Sequence, residues 1–530
     1  MNASQPSAKF AIAAASLLVL VWLAFTTWAR PLMLPDEGRY VGIAWEMLRS
    51  GDWLTPTLNG LPYFHKPPLF YWITAASLWL FGHHEWAARI APLLGALLGT
   101  GASYAFVRRW SGERAARRGV VVLLAQPIWL IAAQFANLDM LVAGCIVATI
   151  VLLAHSVLLA DEGKPWHGVL TTAWGMAALG VLAKGLIGFV LPALVVFAWL
   201  LVQKRWRRLV GLLWWPGIVV FLALTVPWFV AMQQRFPEFL DYFFVVQHFR
   251  RFTDSGFNNV MPFWFYPAVL CLCFLPWLPW MLRAFRPRAD LSATQRSVRL
   301  LLLIWPAIVV VFFSLPQSKL LGYVLPAIAP LAFIAADGYL SRTSLSGTPA
   351  RMWCIAAGIG CTLTLGLLNW IAVHPQNSTR PFALVLRDSR QPSEPVVMLD
   401  KYYFDLPFYA QLGGPVAIVE RWDDPKLHQQ DNQRKEIADA GQFDKAAAAK
   451  RLLLAAGLPG LLCRSGTTWV LGPSSAGERY PFLQAAADLQ HQDGTTLWRV
   501  DSSSPSLLNA LGCDGKPSSD SPHKVHPPQQ

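Results

Sequence analysis

Four stretches of this chain run for about the length of a membrane-spanning helix without one Asp, Glu, Lys or Arg: Phe10–Ala29, Met140–Ala160, Gly185–Gln203 and Leu209–Gln234. A spanning helix needs roughly 20 apolar residues. In lipid every backbone N–H and C=O has to be satisfied within the structure, so runs of this kind fold as helices. The remainder of the 530 residues agrees, with 54% hydrophobic and 14% charged, against about 25% charged in soluble domains. Disorder, a collagen-like fibre, a disulfide scaffold and an ordinary cytosolic enzyme are excluded. What remains is a polytopic α-helical membrane protein.

The net charge of +13 is unevenly placed. Residues 1–373 hold 28 Lys and Arg against 14 Asp and Glu, and residues 374–530 hold 16 against 17. The excess sits in short clusters between apolar runs: Arg108, Arg109, Arg114, Arg117 and Arg118; Lys204, Arg205, Arg207 and Arg208; Arg283, Arg286, Arg288, Arg296 and Arg299. Clusters of this kind mark cytoplasmic loops, and no nucleic-acid partner is expected.

With Lys9 inside, the spacing predicts spans at 10–29, 86–107, 119–136, 139–160, 168–183, 186–203, 209–231, 263–282, 300–315, 320–340 and 352–373. That is eleven in a range of eleven to thirteen, and an odd number in either case. Odd parity puts the basic clusters inside and the C-terminal part outside, in the periplasm of a bacterial inner membrane. The apolar segment Pro67–Gly82 is short for a span; Tyr71, Trp72 and Trp79 suit a helix at the outer interface. Residues 1–375 form the membrane domain, with outer loops 30–85 and 232–262. Residues 376–501 form a small α/β domain, with strands at Val396–Leu399, Val416–Val419 and Thr468–Leu471 and a helix at Lys445–Ala456. The Ser-, Pro- and His-rich residues 502–530 read as a disordered tail. Cys145, Cys271, Cys273, Cys354 and Cys361 lie in apolar runs and read as packing residues. In an oxidising compartment Cys463 and Cys513 could pair.

This threading gathers polar side chains on the outer face: Asp36, Glu37 and Arg39; Tyr63, His65 and Lys66; Asp139; Lys184; His248, Arg250 and Arg251; Lys319 and Tyr323. Each has a plainer role in isolation. Asp36 and Glu37 can cap a helix, Asp139 can cap its span, Lys66 can snorkel to headgroups, Lys184 can sit in a turn, and Arg250 and Arg251 can face lipid. His248 can be a satisfied loop histidine. Cations from at least three separate outer loops weigh against that set of coincidences. Convergent Lys and Arg suit a phosphate, and a nearby carboxylate suits acid–base or positioning work.

The segments Asp36–Tyr40, Gly51–Trp53 and Tyr63–Leu69 resemble the first periplasmic loop of the aminoarabinose lipid A transferases, GT-C glycosyltransferases related to the protein O-mannosyltransferases. Ser318–Pro326, Asp405–Tyr409 and Asp431–Gly441 are similar to later parts of that family. The resemblance implies an enzyme that moves 4-amino-4-deoxy-L-arabinose from undecaprenyl phosphate to a phosphate of lipid A. It implies Arg39, Lys66, Arg251 and Tyr323 as donor-phosphate ligands and Asp36 at the reacting end, with Glu37 beside it. Tyr63, Asp139, Lys184, His248, Arg250 and Lys319 complete the candidate substrate site. This chain has His65 and Gln247 where relatives commonly carry Glu, which removes acidic ligands; His65 and His248 remain candidates for a divalent metal. Other readings keep the enzyme but change the acceptor to protein or another glycan, or make the chain a lipid or sugar transporter. A transporter predicts internal repeats and a polar path at the membrane midplane; no repeat is visible, and the polar residues gather at one face.

Overall fold

All eleven apolar segments are largely helical in the computed structural model, which describes residues 8–250, 259–341, 348–374, 378–428, 432–502, 504–511 and 513. Six helices are long and apolar enough to cross a membrane: Ile90–Ser111, Leu138–Asp161, Trp215–Arg235, Ala293–Ser314, Leu321–Leu340 and Thr348–Val373. The expected spans 119–136 and 263–282 are instead bent pairs. Glu113–Leu124 meets Pro127–Ala133 at 72°, and Phe265–Cys273 meets Leu275–Arg283 at 66°. Pro127 and Pro276 stand in the first turn of the second member of each pair, where the ring removes an N–H, and Gln126 before Pro127 is extended, with ψ 120°. Ala8–Ala24, His167–Lys184 and Ile187–Val202 are shorter. On length and apolarity, six of the described helices qualify as spans, or eight with each bent pair counted as one, and the other expected segments are helical but shorter. The chain is a multi-pass membrane protein.

Leu138–Asp161 is the centre of the helical body and is buried on nearly every side. It crosses Ile90–Ser111 at Gly95 and Gly144, where a Cβ on Gly144 would lie 2.1 Å from the Gly95 carbonyl oxygen. Only glycine allows that approach, a common device where apolar packing alone cannot distinguish helix from lipid.

Above this body, the helix Asp36–Ser50 leads into a two-stranded hairpin, Thr57–Leu58 with Leu61–Pro62. Glu46 holds the hairpin turn. Its buried carboxylate accepts from Thr57 Oγ1 at 2.8 Å, Asn59 N at 2.6 Å and Gly60 N at 2.8 Å. Burial pushes this carboxyl up, against the pull of those hydrogen bonds. The apolar segment expected at the interface becomes the 13-residue helix Leu69–Phe81, with Phe70, Tyr71, Ala75 and Leu78 buried and Trp79 exposed.

The C-terminal part is a six-stranded sheet in the order Leu452–Leu453, Ala417–Val419, Val396–Leu399, Thr467–Pro473, Thr495–Asp501, Ala487–Gln492. The first four strands are parallel and the last two pair antiparallel. Three of the strands match those expected. The two antiparallel ones were not expected, and Ala487–Gln492 shows why: it is a largely exposed edge with no apolar alternation. The expected helix Lys445–Ala456 stops at Arg451, where strand Leu452–Leu453 begins.

Side chains alternate across a strand, and here both faces are covered. Val397, Leu399, Val419, Val470, Trp498 and Val500 pack on the domain's own helices, Leu458–Arg464 and Pro505–Leu511 among them. Val396, Met398, Ile418, Trp469, Leu471 and Leu497 join the core of the membrane part. Residues 505–511 are therefore helical and packed, and the domain runs past the expected boundary at 501. Cys513 forms a disulfide with Cys463, Cα atoms 5.7 Å apart. Residues 514–530 lie outside the described residues.

Polar contacts seat the domain on the segment 30–85. The Leu32 N–H donates to Tyr409 Oη at 2.7 Å, Asn59 exchanges hydrogen bonds of 2.8 and 2.9 Å with the Val416 backbone, and Arg49 donates to the Leu412 carbonyl at 2.8 Å.

Candidate functional site

The first turn of helix Asp36–Ser50 separates two acidic neighbours. A helix advances 100° per residue, so Asp36 and Arg39 share a face and Glu37 turns away from it. Arg39 pairs with Asp36 on its own helix and with Glu436 from the C-terminal helix Gln433–Gln442. Burial works against the Arg39 charge; Glu436 and Asp36 are among the groups that hold its pKa well above the ordinary arginine value. The helix N-cap position is Pro35 and no side chain caps this end, so Asp36 is not a cap. Its carboxylate is 39% exposed, open to a cavity.

Glu37 does not reach that cavity. It is fully buried and accepts from Arg89 Nε at 2.8 Å, from Met33 N at 2.9 Å and from Ala136 N at 2.8 Å, with a further ion pair to Arg30. Burial pushes its carboxyl up, but Arg30 and Arg89 outweigh that and hold it down at about 2. With both oxygens enclosed, Glu37 is a structural anion, and its expected catalytic role is corrected here.

Facing Asp36, the hairpin delivers Tyr63, His65 and Lys66. Tyr63 is buried and its phenol is pushed up by that burial. His65 stacks on Tyr63 with centroids 4.4 Å apart, and its Nε2 lies 2.8 Å from Tyr242 Oη. The third side comes from the helical body. Asp139 pairs with Lys184, and the Lys184 ammonium lies 4.4 Å from the Tyr323 ring centroid. Asn137, not Asp139, caps helix Leu138–Asp161, accepting from Asp139 N at 3.0 Å. Gly322 is required beside this pair, because a Cβ there would meet Asp139 Oδ2 at 2.0 Å.

These residues join three cavities in series. An apolar groove of about 380 Å³ runs between Val142, Ile146, Val190, Phe312 and Phe313 and ends at Lys66, Asp139, Lys184 and Tyr323. The same four residues open into a polar chamber of about 70 Å³ that also holds Asp36, Arg39, Tyr63, His65 and Glu436. Asp36, Arg39, Leu320 and Glu436 then form the neck to an upper polar chamber of about 600 Å³, bounded by Lys401, Glu420, Trp422 and Arg434 of the C-terminal domain.

Of the expected site, Asp36, Arg39, Tyr63, His65, Lys66, Asp139, Lys184 and Tyr323 come together. Lys319 does not join them: its buried ammonium is held by the carbonyls of Met261, Pro316 and Gln317. Arg251 and the side chains of His248 and Arg250 lie outside the described residues. Among the described residues no three His, Cys, Asp or Glu side chains converge in a metal-binding group. Glu436 was not expected in the site. It lies in the segment Asp431–Gly441, whose family resemblance was visible in the sequence, but nothing local shows that it reaches Arg39.

Residues 7–243 match the family model described as dolichyl-phosphate-mannose-protein mannosyltransferase. The chain is 33% identical over 362 residues to undecaprenyl phosphate-alpha-4-amino-4-deoxy-L-arabinose arabinosyl transferase 1 of Sodalis glossinidius, covering 65% of this chain and 63% of that one. It is also 33% identical over 364 residues to the arabinosyl transferase of Pseudomonas aeruginosa, covering 67% and 64%. It thus spans less than two thirds of the length of these curated relatives. The crystal structure of ArnT from Cupriavidus metallidurans bound to undecaprenyl phosphate superposes with a TM-score of 0.80 at 25% identity, over 94% of this chain and 99% of that one. The archaeal oligosaccharyltransferase AglB from Archaeoglobus fulgidus shares the fold alone, at a TM-score of 0.52 and 14% identity over 89% and 71%. The chain is similar in sequence to aminoarabinose transferases and shares the GT-C fold of ArnT, as its sequence resemblance implied.

Proposed function

We propose that this chain is a glycosyltransferase that moves 4-amino-4-deoxy-L-arabinose from undecaprenyl phosphate to a phosphate of lipid A at the periplasmic face of the bacterial inner membrane. The observation that carries this reading is the order of the cavities: an apolar groove, a cation-lined chamber with an open carboxylate, then a polar chamber. A polyprenyl tail suits the first, its phosphate the second, and the sugar with the acceptor headgroup the neck and the chamber above it. The donor's identity is taken from the similar arabinosyl transferase of Sodalis glossinidius and from ArnT bound to undecaprenyl phosphate.

In the reaction the bond between sugar C1 and the donor phosphate oxygen breaks, and an acceptor phosphate oxygen bonds to C1. The electron pair of the broken bond leaves with polyprenyl phosphate. Lys66, Lys184 and Arg39 stabilise the charge that develops there, aided by a chamber that is small and largely closed to water. The acceptor phosphate is already ionised at neutral pH, so no base has to take a proton from it. Asp36, across from the leaving group, stabilises the positive charge that builds on the sugar ring.

Placement in the periplasm is supported by the ends of the helices. Lys184 and Asp139 stand at one end of the body; Asp161, at the far end of the 24-residue helix Leu138–Asp161, pairs with Arg205 and Arg208 of a basic cluster. A helix of that length rises about 36 Å, enough to put site and basic cluster on opposite faces. The Cys463–Cys513 disulfide suits an oxidising compartment.

Mass spectrometry of lipid A from cells with and without this protein tests the function. A gain of one amino-pentose per modified phosphate is the expected result. An unchanged lipid A with altered glycoproteins would move the acceptor to protein, and unchanged glycoconjugates with altered lipid transport would remove the enzyme. A reporter active only outside the cytoplasm, fused at Pro505, should give signal.

A further inference from the structure

We infer that Glu436, supplied by the C-terminal domain, recognises a cationic group on the donor sugar, and that it does so by exchanging ion-pair partners when the donor phosphate enters. The inference rests on the transferase reading and adds the residue that selects an amino sugar over a neutral one.

Three carboxylates line the small chamber: Asp36, Asp139 and Glu436. Asp139 stands beside Lys184 where the apolar groove ends, on the lipid side of the chamber and away from the neck. Asp36 is the most open of the three and faces the place of the reacting carbon, so Glu436 remains. Its side chain is 14% exposed and is paired with Arg39, itself 10% exposed. Helix Gln433–Gln442 presents it rigidly, since Asn432 caps the first turn by accepting from Lys435 N at 3.0 Å. The neighbouring carboxylates of the upper chamber face other cations: Asp400 pairs with Arg479 at 2.6 Å, and Glu420 lies 3.9 Å from Arg434 Nε.

A phosphate that reaches Arg39 competes directly with Glu436, because a guanidinium binds phosphate and carboxylate through the same fork of donors. The displaced carboxylate would be left half-buried and without its partner, which is costly. An ammonium on the sugar removes that cost: Arg39–Glu436 becomes Arg39–phosphate together with Glu436–ammonium. One negative and one positive group enter, and the charge of the chamber is unchanged. A neutral sugar brings the phosphate without the ammonium and leaves Glu436 stranded. Selectivity then comes from the penalty on the wrong donor as much as from the contact with the right one.

The full-length protein in lipid nanodiscs is given lipid A as acceptor and two polyprenyl-phosphate donors, one carrying a 4-amino-pentose and one carrying a hydroxyl in place of the amine, and kcat/KM is measured for each donor. The wild type should prefer the amine by at least about 30-fold, the scale of a hydrogen-bonded charge pair. Glu436→Gln should lose that preference from both sides, falling on the amine donor and rising on the hydroxyl donor, and Glu436→Asp should keep most of it. Equal use of the two donors by the wild type overturns the inference, even if Glu436→Gln does not fold. An equal loss on both donors in Glu436→Gln also overturns it, and would make Glu436 only a support for Arg39. Turnover of neither donor by the wild type overturns the transferase reading itself, and this inference with it.

Discussion

Asp36 and Glu37 are adjacent in sequence and chemically alike, yet the structure gives them opposite surroundings. Glu37 sits in a closed cage between Arg30 and Arg89, with backbone N–H groups of Met33 and Ala136 on its oxygens. Asp36 stands at an open neck, sharing Arg39 with a residue from another domain. In the cage, the oxygens of Glu37 are satisfied by two guanidinium groups and two backbone N–H groups of the protein itself, so nothing is left for a substrate. At the neck the pairs are ones a phosphate can replace. Matched and enclosed charge builds the fold; exchangeable charge beside a cavity makes a site.

The sharpest way to break the comparison is Glu37→Gln. It strands two buried guanidinium groups, and losing one partner of a buried ion pair costs about 3–5 kcal/mol. Folded protein should become scarce, thermal unfolding in detergent should come much earlier, and transfer should vanish with the fold. A stable, inactive Glu37→Gln protein would return Glu37 to the chemistry. The same cage sets an acid limit. Its carboxyl is held at about 2 in the folded protein, against an ordinary value of 4.5. The stabilisation is therefore fully present above about 4.5 and is lost as pH falls toward 2. In Glu37→Gln that part of the acid sensitivity should be absent.

Asp36→Asn should do the reverse. Its unfolding midpoint should match the wild type closely, because this carboxylate neither caps the helix nor fills a core. Transfer should fall by at least about 100-fold, since an amide cannot stabilise positive charge on the sugar. Near-normal transfer would dissolve the contrast between cage and neck.

Two lysines sharpen it further. Lys66→Ala should lower transfer by roughly a hundredfold with little change in stability, as expected where a charge-assisted contact to the leaving phosphate is lost. Lys319→Met should change transfer least. Its ammonium is occupied by three carbonyls, so its loss should appear as about 1–3 kcal/mol of stability with KM for the donor unmoved. A Lys319→Met protein that is stable but saturates poorly with donor would place Lys319 in the site after all.

Much of the site was legible because its residue types are expensive where they lie. Asp139 and Lys184 interrupt apolar runs, and ionisable groups at a membrane boundary need a reason to be there. Their mutual pairing explains both. Lys319 met the same criterion and proved structural, because sequence cannot distinguish a cation turned toward a cavity from one turned into its own loop. Glu37 failed for a related reason: one residue along a helix is a rotation of 100°, and only the packing of Arg30 and Arg89 decides which side is closed.

The sequence by itself determined that the chain is helical and embedded in a membrane, where its basic clusters lie, and that an α/β domain follows. Those properties depend on local composition and period, and the free energy of transfer from water acts on each segment almost independently. The tertiary structure alone decided that the C-terminal sheet is buried on both faces and that Glu436 reaches Arg39 across nearly 400 residues of chain. Those outcomes depend on contacts between distant segments, for which no local pattern exists. The neck between the chambers is built from such a contact.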